Sequence, residues 1–174
     1  MLHGTEGATQ VHVDLVEHLV ALVTVRLIDP LAILLDDAVA AAQDRVRIEA
    51  QTWSAQLLGP DDRRAVDTAA RLISALYPGD EAFDPPPDWW STPFGQVVLC
   101  RMGHPARESV TYAVAGAMLG ITRQGVHDLV GRGKLQRHPD GGVTTASVRD
   151  RAVRRISSTA TSHDEHTDTD RNDR

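Results

Sequence analysis

"GAMLGITRQGVHDLVGRGKL", Gly116 to Leu135, sets two short segments of helical apolar spacing on either side of Gly120. With its left flank "SVTYAVA", Thr111 caps a helix from Tyr112 to Leu119 whose inward stripe is Val114 or Ala115, Met118 and Leu119. Ala115 and Gly116 are small where a second helix must cross closely. Gly120 permits the positive φ that ends the first helix, Ile121 plugs the turn from inside, and Thr122 caps the second helix. There Val126, Leu129 and Val130 stand at spacing 0, 3 and 4 and face inward, which leaves Arg123, Gln124, His127 and Asp128 outside. Two short helices that cross through a tight turn, the second with a polar outer face at its amino end, have the geometry of a helix-turn-helix.

The next residues are "QRHPDGGVTTASVRDRAVRRI". Pro139, Asp140, Gly141 and Gly142 form turns, so a small hairpin is expected between Leu135–His138 and Val143–Thr145. A final helix from about Ala146 to Ile156 would close the unit. From Val110 to about Val148 the chain resembles the winged helix-turn-helix of the MerR and excisionase superfamily. The resemblance lies in the threonine start at Thr111, the small residues Ala115 and Gly116, and the turn from Leu119 to Thr122. It extends to the Arg-Gln pair Arg123 and Gln124, and to the Gly-Lys-Leu exit from Gly133 to Leu135. The resemblance implies sequence-specific binding of double-stranded DNA by a bacterial transcriptional regulator. An excisionase-like or plasmid-maintenance architectural protein is the alternative within that class. MerR regulators carry this unit at the amino terminus, whereas here it lies near the carboxy terminus, and no effector-binding cysteine set accompanies it.

The residue types fit that chemistry. A guanidinium at Arg123 reaches guanine O6 and N7, and Gln124 pairs with adenine, each worth about 1–3 kcal/mol of discrimination when bidentate. Thr122 and His127 flank them. Arg132, Lys134, Arg137 and His138 suit phosphates, which position a protein without reading sequence. Asp128 on the same face is unfavourable beside phosphate unless it accepts from cytosine or orients Arg132, four residues on.

A formal charge of -6 argues against DNA until the chain is divided. Residues 1–100 hold 6 Lys/Arg against 15 Asp/Glu; residues 101–156 hold 10 against 4; residues 157–174 hold 2 against 5. The chain therefore reads as an acidic body carrying a basic binding unit.

The body is expected to be about three helices over residues 1–79. Leucines and valines from Val11 to Ile28 keep helical period, although "VHVDLV" also suits a short strand. Asp29 and Pro30 are expected to break the chain, with one long helix from Leu31 to Leu58 after them. Leu35, Val39, Ala42, Val46, Trp53 and Leu57 mark a heptad-like seam that suits either the first helix or a second copy, which points to a homodimer through the amino-terminal helices. "PDDRRAVDTAARLISALY" is the third helix. "PGDEAFDPPPDWW" is expected to be a linker over residues 80–90, followed by the DNA-binding unit over 91–156 and a disordered tail over 157–174. Trp89 and Trp90 are read as core residues rather than base-stacking ones. Thr92 and Pro93 start a helix, "PFGQVVLCRM".

No signal sequence is evident, and Arg26, Asp29 and Pro30 interrupt the longest apolar run, so no membrane span is expected. With one cysteine, Cys100, the expected place is the cytoplasm, on the nucleoid. Neither catalytic residues nor a cofactor or metal is expected; His163 and His166 lack further ligands. A protein partner of the acidic body is expected as an additional contact. A protein-protein adaptor without DNA binding is the reading from another class.

Overall fold

The computed structural model describes residues 3–35 and 39–162. They form a mainly helical protein with one small two-stranded antiparallel sheet.

The amino-terminal helix α1 (His3–Val23) passes through a π-helical turn at Thr24–Ile28 into α2 (Asp29–Leu35) without a break. No strand forms at "VHVDLV". The interruption expected at Asp29 and Pro30 does not occur, for a definable reason. Proline lacks an amide and collides with the carbonyl four residues back in an α-helix. Here the widened turn comes just before it, with the Asp29 amide reaching back five residues to Thr24 O. The Arg26 side chain pins this turn to the body, donating to Leu76 O at 3.2 Å with its guanidinium 4.1 Å from the Tyr77 ring centre. The uninterrupted helix, Gly7–Leu35, is therefore long and apolar enough to cross a membrane, against the expectation from Arg26, Asp29 and Pro30.

The residues expected as a single helix over Leu31–Leu58 fall in two described helices. The first of them belong to α2, and α3 spans Ala40–Leu58. Along the anticipated seam Val39 and Leu57 are buried and Val46 and Trp53 half-buried, whereas Leu35 and Ala42 are exposed; Ala50 takes the place opposite α1 that Glu49 cannot fill. α3 packs on α1, burying Leu15, Leu19 and Val23, and His12 Nε2 meets Gln51 Oε1 across the pair at 3.0 Å. The third helix, α4 (Asp62–Leu76), is capped by the Asp61 carboxylate and buries Ala65, Thr68, Ala69, Leu72, Ile73 and Leu76, a clean helical stripe.

The segment expected as a linker, residues 80–90, follows α4 and runs into a 3₁₀ turn at Pro87–Ser91; its acidic side chains are exposed, whereas part of it packs on the core. Pro85 is buried, as are both Trp89 and Trp90. Trp89 Nε1 donates to the Tyr77 hydroxyl at 2.7 Å, and its ring lies edge-on to Phe83, Trp90 and Phe94. The tryptophan pair is thus core, as the sequence suggests. Asp84 receives Arg107 and lies 3.3 Å from His104 Nε2. Next comes α5 (Pro93–Met102), capped by Thr92, which packs against α1, α4 and later α8. Arg101 at its end donates to Leu57 O, Gly59 O and Asp62, tying it to the close of α3. One buried cluster consequently runs from Leu15 to Ala152 across the segment at 80–90.

Candidate nucleic-acid interface

β1 (Ser109–Val110) leads into α6 (Tyr112–Leu119), and α7 (Arg123–Gly131) follows through a three-residue turn. The start of each helix is set locally. Thr111 Oγ1 accepts from the Val114 amide and Thr122 Oγ1 from the Gly125 amide, each satisfying a donor the helix cannot use itself. Gly120 is left-handed, φ 63°, and its neighbour Ile121 donates to Gly116 O, closing the turn. At Gly116 the chain passes so close that a Cβ would stand 2.7 Å from Ile121 O. The crossing is sealed by Ala115, Met118 and Leu119 of α6 against Val126 of α7, all buried, with Ile121, Leu129 and Val130 half-buried around them.

That packing dictates which side chains are left outside. Thr122, Arg123, Gln124, His127 and Asp128 are all exposed, on the amino-terminal half of α7. Gln124 Nε2 donates to Asp128 Oδ1 at 3.1 Å, so the Asp128 carboxylate orients Gln124 and not Arg132, whose backbone amide instead bonds Asp128 O. His127 lies edge-on to Tyr112, with ring centres 6.2 Å apart. Sequence reasoning passes over Tyr112; its one signal is its place directly after the capping Thr111, at the end of α6 nearest His127.

Beyond α7 the chain folds back, Lys134 and Leu135 both donating to Leu129 O. Leu135 is buried, whereas Arg132, Lys134 and Arg137 are exposed and His138 is partly so. The hairpin expected here differs in its pairing. β2 (Val143–Thr144) runs antiparallel to β1, with Val110 opposite Val143 and Ser109 opposite Thr144. The Leu135–His138 side contributes only a bridge between Arg137 and Val143, with His138 N–H to Gly142 O and Thr144 N–H to Gln136 O. The partner strand precedes α6 and is two residues long, too short for alternation to announce it. The last helix, α8 (Thr145–Ser162), begins at Thr145 and outruns the expected end at Ile156, so 157–162 continue it. His163 and His166, like the rest of the tail, fall outside the described residues.

The basic segment is used in two ways. Arg101, Arg107, Arg149 and Arg155 hold the fold, the last two donating to Cys100 O and Leu119 O. Among the described residues Arg123, Arg132, Lys134 and Arg137 make no ion pair. These four are therefore available to an anionic partner, with Arg132 and Lys134 also at the negative end of the α7 dipole.

No group of three or more His, Cys, Asp or Glu among the described residues is placed to hold a metal. Cys100 is half-buried and its thiol is pushed up by burial, which three nearby arginines partly oppose. No family model, curated protein or solved structure matches this chain.

Proposed function

We propose that this protein binds double-stranded DNA in a sequence-specific manner, with α7 as the recognition helix of a MerR- or excisionase-like winged helix-turn-helix. One observation carries the reading: the inner face of α7 is committed to α6 through Val126, while Arg123, Gln124 and His127 stand exposed beside the capping Thr122. An arginine and a glutamine at the first two positions of a helix lowered into the major groove read guanine and adenine edges. Arg132, Lys134, Arg137 and His138 then contact phosphate on either side. Tyr112 joins the surface through its contact with His127.

On this reading the protein is a bacterial transcriptional regulator acting in the cytoplasm, and the acidic helices serve self-association or a protein partner. A single unit of this size binds weakly, so two copies reading two half-sites are required. The test is selection of bound sequences from a random duplex pool with the full chain, repeated with Arg123→Ala/Gln124→Ala. Enrichment of one motif by the parent and its loss in the variant support the proposal. Equal enrichment in both sinks the assignment of α7.

A further inference from the structure

We infer that the last two turns of the amino-terminal helix, with the residues just before them, are the surface on which a second copy of this chain docks. This deepens the two-copy part of the proposed function and rests on that reading for its purpose, though not for its geometry.

α2 buries none of its residues. Ile33 and Leu34 are 83% and 76% exposed, and Leu35, Leu31, Leu27 and Val25 are exposed as well. Six large aliphatic side chains in this state offer roughly 600 Å² of apolar surface, at the upper end of what a monomer leaves open and close to the ~800 Å² per partner of a standard interface. Within them Leu27, Leu31 and Leu34 are spaced by four and three, the period at which one helix packs along another. The heptad-like seam of α3 is already consumed, since Val39, Val46, Trp53 and Leu57 face the body. The unspent apolar seam is therefore on α2.

A lipid surface fits less well. Leu15, Leu19, Val23 and Ile28 of the same helix are buried in protein, and His12 and Arg26 are hydrogen-bonded to Gln51 and Leu76 O. Beyond Ile28, the last buried residue of this helix, only the seven residues of α2 remain, roughly 10 Å of helix against the ~30 Å of a bilayer core. The excess of 15 acidic over 6 basic residues in the first hundred repels an anionic headgroup layer. A second copy presents the same leucine seam, and a self-complementary seam closes about a two-fold axis.

The experiment uses the full chain without DNA. Sedimentation equilibrium should show a dimer, and Leu31→Asp/Leu34→Asp should raise its dissociation constant at least about 100-fold. Because Leu31 and Leu34 are both exposed, the helical circular dichroism of that variant should be unchanged. Leu31→Cys in a Cys100→Ser background should form an intermolecular disulfide under mild oxidation at micromolar protein. Raising salt should tighten the dimer by screening acidic repulsion, the opposite of its effect on DNA binding. Arg123→Ala/Gln124→Ala should stay dimeric, which separates failure of DNA reading from failure of this surface. A monomeric parent, a dimer indifferent to Leu31→Asp/Leu34→Asp, or absence of the cysteine cross-link would each overturn the inference. So would co-sedimentation of the parent with phosphatidylcholine or phosphatidylcholine–phosphatidylglycerol vesicles that the double variant does not show.

Discussion

Gln124 donates its side-chain amide to Asp128 Oδ1 over 3.1 Å, one turn along the same exposed helix face. The bond leaves one N–H and Oε1 of Gln124 for a partner, the two atoms an adenine edge engages. It also places a carboxylate among residues proposed to approach phosphate. Asp128→Ala should therefore strengthen binding to unrelated duplexes and weaken the preference for the selected motif, because Gln124 loses its orientation while one negative charge disappears. Fluorescence anisotropy on selected and scrambled duplexes reads both effects; a uniform loss on the two would show that Asp128 acts only through the fold.

The cations outside the proposed recognition surface predict a different signature. Arg132, Lys134 and Arg137 are exposed and make no ion pair among the described residues. Replacing any one by alanine should lower affinity for all duplexes alike and reduce the log–log salt slope by about 0.9 for each phosphate no longer neutralised. A titration over several salt concentrations checks it. Arg101→Ala, which removes a structural arginine bonded to Leu57 O and Gly59 O, should instead lower the melting temperature.

The contrast between those arginines shows what sequence can and cannot reveal. Thr111, Gly120, Thr122 and the inward Val126 act within a few residues of themselves, so capping and helical period place them from local spacing alone. Arg101 and Arg107 fall in the same basic segment as Arg123, yet their partners lie at Leu57, Gly59, Asp62 and Asp84. Nothing local distinguishes a cation satisfied at such a distance from one left for a ligand. The same limit hides β1, whose partner at Val143–Thr144 lies more than thirty residues on. It also hides the passage through Pro30, since the π-turn that accommodates proline is fixed by Arg26 gripping the end of α4.

Two glycines nine residues apart should respond oppositely to alanine. At Gly116 a Cβ would stand 2.7 Å from the backbone oxygen of Ile121, and a backbone atom in a tight turn cannot give way. Gly116→Ala should destabilise the protein by about 1–3 kcal/mol, the range for overpacking. At Gly125 the nearest atoms would be 3.5–3.6 Å away, at ordinary van der Waals distance. Gly125→Ala, inside α7, should stabilise by about 0.5–1 kcal/mol through helix propensity. Urea denaturation of the two variants measures both signs, and a destabilised Gly125→Ala would mean that α7 is not helical there.

Stability should depend on His104 at mildly acidic pH. The ring is buried beside Trp90, its Nδ1 accepts the Ala106 amide, and Nε2 lies 3.3 Å from Asp84 without an aligned hydrogen bond. Burial lowers its pKa from 6.5, with Asp84 opposing the shift and Arg107 adding to it; His18 is lowered by burial in the same way. The sign follows from proton uptake. Above about pH 6.5 both folded and unfolded chains hold neutral rings and stability is flat. As pH falls through that value the unfolded chain protonates first, so stability declines until pH reaches the lower pKa of the folded state. His104→Asn keeps an acceptor where Nδ1 stood but cannot titrate. Denaturation midpoints from about pH 8 to about pH 5 should fall less steeply in that variant than in the parent. Equal slopes would show that the folded protein does not hold His104 neutral.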